Sequence, residues 1–165
     1  MFVALTFDNG LEHDAKLYYA LNKALRNRKA SVHPFKRWQE FLYFLMRALE
    51  KLPRFQGTVY RGISDDQATV RREYTVGRPI QWAAFSSTTK DAAAAKRFVD
   101  KGVGVLFKLT VVGGRDIAAY SYFPKENEIL LSPNTRFTVA SELYVDEDGF
   151  ACMDLAETAG PLLQS

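Results

Sequence analysis

Apolar residues in the first third of the chain recur every three or four positions, which is the spacing of one face of an α-helix. One stripe ends before residue 28, and a second begins after Pro34 and stops at Pro53. Proline suits the first turn of a helix and cannot continue one, so both prolines fit these bounds. The pattern predicts two helices, with stripes of Leu11, Ala15, Tyr18, Leu21 and Leu25 and of Trp38, Leu42, Leu45 and Leu49.

From Gly57 onward the pattern changes to short apolar runs bounded by glycine, proline and aspartate, which is typical of β-strands. Gly113-Gly114 is interpreted as a turn and residues 146–149 as a hairpin turn. Helices first and strands later predict an α+β fold with an antiparallel or mixed sheet system. We expect a single domain of residues 1–165, helical over about 1–56 and strand-rich over about 57–158. The predicted strands are 58–60, 80–85, 103–112, 126–131, 135–145 and 150–155, with a short helix at 91–100.

Composition and charge narrow the classes of function. The formal charge of +3 suits an anionic small ligand but is too weak to indicate nucleic acid, which we consider an unlikely partner. A single cysteine, Cys152, allows no intrachain disulfide and no thiolate metal site, so we expect work in a reducing cytosol. The longest apolar run, 41–46, is too short to span a bilayer, and no signal peptide is evident. We therefore expect a soluble protein with no membrane partner.

Three short segments at predicted strand ends carry side chains suited to chemistry. Arg61-Gly62 offers a guanidinium for phosphate or carboxylate and a bare backbone that a ligand can approach. The hydroxyl run 86–89 could equally be a solvated strand end with a helix cap. Glu126 and Glu128 would share one face of a strand, with backbones roughly 7 Å apart, and such carboxylates repel each other. Each segment alone is more often an ordinary surface feature.

In this order, the three segments resemble the motifs of the mono-ADP-ribosyltransferases of the arginine–serine–glutamate class. Arg61 matches aromatic-Arg-Gly, residues 85–89 match aromatic-x-Ser-Thr-Ser with Thr89 in place of the last serine, and residues 126–128 match Glu-x-Glu. The flanks at 122–125 and 129–133 match too, and the resemblance covers roughly 17–145. It implies NAD as substrate, no metal, and N-terminal helices packed on a split sandwich of two mainly antiparallel sheets. The class built on His-Tyr-Glu does not fit, because position 61 is arginine.

The resemblance also implies a role for each matched residue. Glu128 would be the catalytic glutamate, holding a ribose hydroxyl and stabilising the sugar cation, while Ser87 positions it. Arg61 would neutralise the NAD diphosphate, and the backbone of Gly62 would grip the nicotinamide amide. Thr88 would complete the NAD-binding set by supporting the strand end. Phe98 could stack on nicotinamide, or it could belong to the core.

Glu126 bears on the acceptor. A guanidinium is protonated and a poor nucleophile, and a second carboxylate can orient it and help to remove its proton. In the family, glutamate at this position accompanies arginine acceptors and glutamine accompanies others, so Glu126 implies transfer to a protein arginine. The loop from Gly114 to Lys125, which contains Tyr120, Tyr122 and Phe123, would contact the target protein.

Several functions stay open at this point. The main hypothesis is a mono-ADP-ribosyltransferase, which could be an intracellular enzyme or a secreted effector or toxin domain that acts in a host cytosol. The alternatives are transfer to another residue type and NAD glycohydrolysis, with water as acceptor. A non-catalytic binding module is more remote, because Arg61, Ser87 and Glu128 are all intact. A phosphate-binding nucleic-acid module is the most distant.

Overall fold

The structure, a computed structural model, describes residues 17–27, 36–121 and 124–158. Leu11 and Ala15 of the first predicted stripe lie outside these residues. The order of helices and strands confirms the predicted α+β class, whereas the single domain of residues 1–165 stays a prediction. The helices are α1 (Leu17–Asn27), α2 (Gln39–Glu50), α3 (Gln67–Glu73) and α4 (Ala92–Lys96), with 3-10 turns at Ala118–Tyr120 and Pro124–Glu126. The strands are β1 (Arg54–Ile63), β2 (Pro79–Trp82), β3 (Ser86–Thr89), β4 (Val105–Asp116), β5 (Glu128–Leu131), β6 (Thr135–Val139), β7 (Tyr144–Val145) and β8 (Ala151–Glu157).

The strands join into one hydrogen-bonded network in the order β1-β3-β5-β4-β8-β6-β2, with β7 beside β8 and a further pairing of β1 with β4. All these pairs are antiparallel except β4 with β8. The long strand β4 joins the two halves of this network, since its first part pairs with β8 and its last two residues pair with β5. The mainly antiparallel sheets that the resemblance implied therefore meet along β1 and β4.

Strand β5 shows how the layers pack. Its side chains alternate between two faces, as strand geometry requires. Ile129 and Leu131 belong to the core between the sheets, while Leu130 packs with α1 and α2 on the other side. All four residues of β5 are buried, and a fully buried side chain such as Leu130 stabilises the fold by roughly 1.5–3 kcal/mol. The same alternation turns Glu128 toward the side that the helices cover.

Two predicted strand boundaries were wrong. Residues 80–85 are not one strand, because β2 pairs with β6 and ends at Trp82, whereas β3 pairs with β5 and begins at Ser86. Between them, Ala84 and Phe85 turn into the core under α1. Residues 135–145 divide into β6 and β7, which pair with different stretches of β8. Helix α3, which Asp66 caps through a bond from the Thr69 amide, was not predicted.

The predicted turn at Gly113-Gly114 was also wrong, since β4 runs through it to Asp116. A Cβ on Gly114 would lie 2.5 Å from the Cγ2 atom of Ile129, so only glycine lets β5 approach here. The Glu157 carboxylate accepts bonds from the Val112 and Gly113 amides and holds β4 in place. The glycines therefore serve close strand packing instead of chain reversal.

A brace ties α4 to the turn between β7 and β8. The Lys96 ammonium lies 2.7 Å from Asp146 and 2.6 Å from Asp148, and its hydrogen bonds to these carboxylates raise the pKa of Lys96. The turn itself is the predicted hairpin at 146–149, in which Gly149 has a φ of +83°. This brace and the bond from the Ala93 amide to Asp91 fix both ends of α4.

Cys152 packs in the core, and burial raises the pKa of its thiol to about 11, so the sulfur is protonated at physiological pH. Within the described residues, no group of three His, Cys, Asp or Glu side chains could hold a metal ion, and the no-metal expectation stays a prediction. In the same part of the chain, no helix combines the length and apolar character that crossing a membrane requires.

Candidate active site

A cavity of about 340 Å³ opens where α1 and α4 meet the strands β1, β3 and β5. The antiparallel pairs explain why motifs distant in sequence converge there, since Thr89 lies opposite Tyr60 on β1 and Glu128 on β5. Its walls contain every residue that the sequence analysis assigned to the site, namely Arg61, Gly62, Ser87, Thr88, Glu126 and Glu128. The structure thus brings the three predicted motifs together in one cleft.

Ser87 and Glu128 form the centre of this cleft. The Ser87 hydroxyl donates to the Oε1 atom of Glu128 over 2.5 Å, and both side chains are buried. A bond to a carboxylate is charge-assisted, and it holds the carboxylate in one orientation. The two residues are diagonal neighbours on adjacent strands, because Ser87 itself lies opposite Leu130. A buried carboxyl group held in one orientation therefore lies at the centre of the cleft.

Arg61 supplies a fixed positive charge to the same cleft. Its Nη1 atom donates to the Ser87 carbonyl oxygen over 2.8 Å, and its guanidinium lies 5.9 Å from the Trp82 ring. Burial lowers the pKa of Arg61, and the nearby charge of Arg26 lowers it further, although arginine stays protonated at physiological pH. Arg26, on the last turn of α1, also lines the cleft. Two guanidiniums that line the same cleft suit an anionic ligand.

Gly62 permits close packing as well as ligand access. A Cβ at this position would lie 2.6 Å from the Ala95 carbonyl oxygen and 2.8 Å from Val99, so any side chain would push α4 away from β1. The sequence reading found only the open backbone of this glycine. The structure adds that Gly62 keeps the α4 wall of the cleft in contact with β1.

Glu126 does not lie on a strand, so the prediction that it shares a strand face with Glu128 was wrong. It ends the 3-10 turn Pro124–Glu126, and β5 begins only at Glu128. Asn127 between them has a φ of +48°, a left-handed conformation that asparagine tolerates better than most residues. Both carboxylates still line the cleft, but Glu128 is buried and Glu126 is half-buried. Their environments therefore differ.

The structure bears differently on two further predictions, the position of Phe98 and the exposed aromatic residues of the loop proposed for the target protein. Phe98 is 46% exposed and lines the cleft, so its side chain stands on the wall of the cavity instead of in the core. Tyr120, in the loop proposed for the target protein, is 69% exposed. Tyr122 and Phe123 of that loop lie outside the described residues.

Asn22 is a site residue that the sequence analysis missed. From α1, its side-chain amide donates to the Phe85 carbonyl oxygen over 3.4 Å and accepts from the Phe85 amide over 3.1 Å. Asn22 is buried and lines the cleft. It fixes the backbone just before Ser86 and Ser87, and so connects α1 to the start of β3. In the sequence, Asn22 could have been noticed as a polar residue beside Leu21 on the apolar face of the helix.

We expect Asn22→Ala to lower the free energy of unfolding by about 1–3 kcal/mol, because two buried hydrogen bonds to Phe85 are lost. Activity should fall as well, since β3 carries Ser87. Urea denaturation of this variant and of Asn27→Ala, an exposed asparagine at the end of the same helix, measures the difference. Equal stability of the two variants would contradict the role given to Asn22.

Comparison with known proteins identifies the family. The sequence profile of the NAD:arginine ADP-ribosyltransferases matches residues 2–159. The chain belongs to this family. Human ecto-ADP-ribosyltransferase 5 is 34% identical over 133 residues, which are 74% of this chain and 44% of that protein. The family match confirms the resemblance that the three motifs indicated.

Solved structures of the family share the fold. ADP-ribosyltransferase HopU1 of Pseudomonas syringae pv. Tomato DC3000 superposes with a TM-score of 0.70 and 27% identity, over 87% of this chain and 66% of that one. The Vis toxin of Vibrio splendidus gives a TM-score of 0.67 at 23% identity, over 98% of this chain and 74% of that one, which is a likeness of fold. The chain spans less than half the length of the curated relatives it matches.

Proposed function

We propose that this chain is a catalytic domain that cleaves NAD at its nicotinamide–ribose bond and transfers ADP-ribose to the guanidinium of a protein arginine. The observation that carries the proposal is the buried bond between Ser87 and Glu128 in a cleft that also holds Arg61 and Glu126. Membership of the NAD:arginine ADP-ribosyltransferase family supports the same reaction.

The carboxylate of Glu128 meets the main demand of the reaction. Nicotinamide leaves NAD as a neutral molecule, because the pair of electrons of the breaking C–N bond goes to its positively charged ring nitrogen. No general acid is therefore needed, and the developing charge is a cation on the ribose, as in glycoside cleavage. A buried, oriented carboxylate stabilises such a cation strongly, since little water screens it. Glu128 would also accept a hydrogen bond from a ribose hydroxyl.

The cationic wall of the cleft would hold the rest of NAD. Arg61 faces the cavity with a charge that is fixed by its bond to Ser87, which suits the diphosphate. The Gly62 backbone lies on the same wall and would bind the nicotinamide amide, with Phe98 close enough in the lining to stack on the ring. The Thr88 hydroxyl donates to the Ile129 carbonyl oxygen over 2.6 Å, so its part in NAD binding would be to hold β3 against β5.

Glu126 would serve the acceptor. A new bond forms between a guanidinium nitrogen and the ribose carbon that nicotinamide leaves, and that nitrogen must lose a proton. A half-buried carboxylate at the cleft can orient the guanidinium and take this proton. With water as acceptor, the same cleft would act as an NAD glycohydrolase and would need no carboxylate that recognises a guanidinium. Glu126 therefore favours transfer over hydrolysis.

We propose that the target protein docks at the segment after β4, within the stretch from Gly114 to Lys125 that the sequence analysis treated as a loop. Tyr120 is exposed in this loop, and the 3-10 turn that carries it contacts the 3-10 turn that carries Glu126. An exposed aromatic side chain on a turn that contacts the turn of Glu126 suits recognition of a partner surface. The single buried Cys152 fits work in a reducing cytosol, including a host cytosol if the domain is delivered there.

The proposal is tested by incubating the protein with a cell lysate and with NAD labelled in its adenylate half. Mass spectrometry then locates the label on the modified peptides. We expect ADP-ribose on arginine side chains and release of nicotinamide in equal amount. Release of nicotinamide with no protein label would identify a glycohydrolase, and label on another residue type would overturn arginine as acceptor.

Arg61→Ala should raise the Kd and the KM for NAD about tenfold or more, because a charge-assisted contact to the diphosphate is lost. Calorimetric titration with NAD measures the affinity directly. Arg72→Ala makes the same change of net charge on exposed α3, outside the cleft lining, and should leave affinity unchanged. Wild-type affinity in Arg61→Ala would remove this residue from the NAD site.

A further inference from the structure

Thr89 stands at the meeting of the elements that surround the cleft. Its backbone lies opposite Tyr60 of β1 and Glu128 of β5. Its hydroxyl donates to the Glu126 carbonyl oxygen over 2.5 Å and accepts from the Asp91 amide over 3.0 Å. The half-buried Thr89 hydroxyl thus connects Glu126 to Asp91, the residue that caps α4.

The segment that carries Glu126 depends on such contacts. Glu126 lies in a single 3-10 turn followed by the left-handed Asn127, so it lacks the regular strand pairing that fixes Glu128. Two bonds from the end of β3 reach this segment, from the Thr89 hydroxyl to the Glu126 carbonyl and from the Lys90 amide to the Asn127 carbonyl. The first of these bonds acts on Glu126 itself and requires the side chain of Thr89.

We propose that Thr89 is a positioning residue for Glu126 and thereby selects transfer to a guanidinium over hydrolysis of NAD. The inference rests on the proposed function and deepens it, because it names what places the acceptor carboxylate. A β-branched side chain has restricted χ1 rotation, so the Thr89 hydroxyl is held toward the Glu126 carbonyl at little loss of entropy. Small displacements of a reacting group reduce rates strongly, so the bond affects the acceptor step.

The NAD side of the cleft has separate supports. Asp91 caps α4 through the Ala93 amide, and Lys96 braces its other end through Asp146 and Asp148. Glu128 is held by Ser87 and by the ladder between β3 and β5. Loss of the Thr89 hydroxyl should therefore disturb Glu126 more than it disturbs the NAD wall or Glu128.

The test compares Thr89→Val, which keeps the branched shape without the hydroxyl, with Thr89→Ser, which keeps the hydroxyl. Agmatine, a small guanidine, serves as acceptor, and nicotinamide release is measured with and without it. In Thr89→Val we expect transfer to fall about tenfold with a raised KM for agmatine, while release in water and the KM for NAD stay within about twofold. Thr89→Ser should restore the wild-type ratio of transfer to release.

Thr135→Val is the matched control, because the Thr135 hydroxyl makes an equivalent 2.6 Å bond to the Ser132 carbonyl outside the cleft. The ratio of transfer to release in Thr135→Val should equal that of the wild type. An unchanged ratio in Thr89→Val, or a Thr89→Ser variant that behaves like valine, overturns the inference alone. Should the valine variant fail to fold, Thr89→Ala is judged by the same ratio. A wild type that cleaves NAD and modifies no guanidine overturns the proposed function and the inference with it.

Discussion

We expect Glu128→Gln to lower the rates of both nicotinamide release and ADP-ribose transfer by about a hundred- to a thousandfold. The amide has nearly the shape of the carboxylate and can still accept the bond from the Ser87 hydroxyl. What the variant loses is the negative charge that faces the ribose cation, so both acceptors, water and guanidinium, are affected equally. Chromatographic measurement of nicotinamide, with and without agmatine, gives the two rates. Turnover that persists in this variant would contradict the assignment of Glu128.

The thermal stability of Glu128→Gln shows whether its lower activity comes from the lost charge or from unfolding. Glu128 is 2% exposed, and a buried carboxylate is held at a cost in desolvation that a neutral amide largely avoids. The melting temperature of Glu128→Gln should therefore equal or exceed that of the wild type. Glu142→Gln makes the same chemical change at an exposed carboxylate outside the cleft lining, and should leave both rates unchanged.

We expect Glu126→Gln to retain nicotinamide release and to lower the rate of transfer to arginine by about a hundredfold or more. The amide cannot take the proton that the attacking guanidinium must lose, whereas water attack at the ribose carbon still benefits from Glu128. Glu126 is also half-buried on a turn, so its replacement should leave the pairing of β3 with β5 intact. The measurement is the ratio of ADP-ribose transfer to agmatine over nicotinamide release in water, both determined on the same sample. A parallel fall of both rates would show that Glu126 does not act on the acceptor specifically.

The sequence predicted which residues meet in the cleft better than it predicted the local backbone. Arg61, Ser87 and Glu128 were identified through their motifs, and β1, β3 and β5 bring all three to one cleft. The strand assigned to Glu126 was wrong because the predicted strand, 126–131, began two residues before β5 does, at the end of the 3-10 turn Pro124–Glu126. Two nearby residues could have indicated that the strand begins later, because Pro124 lacks an amide donor and Asn127 tolerates a positive φ.

Other features could not be predicted from local patterns, because partners distant in sequence determine them. The continuation of β4 through Gly114 follows from the approach of Ile129 on β5. The buried position of Asn22 follows from the Phe85 backbone, which lies 63 residues further along the chain. The sequence suggests that Gly62 leaves the backbone open to a ligand, but it does not show that α4 packs against this glycine. Each of these residues supports the cleft through a contact that only the folded chain creates.

The central claim is that two carboxylates in one cleft have separate tasks, Glu128 for the ribose cation and Glu126 for the incoming guanidinium. The most direct measurement compares the wild type, Glu126→Gln and Glu128→Gln for nicotinamide release in water and for ADP-ribose transfer to agmatine. We predict both activities in the wild type, release alone in Glu126→Gln and neither in Glu128→Gln. Release that survives in Glu128→Gln, or transfer that survives in Glu126→Gln, would contradict this division.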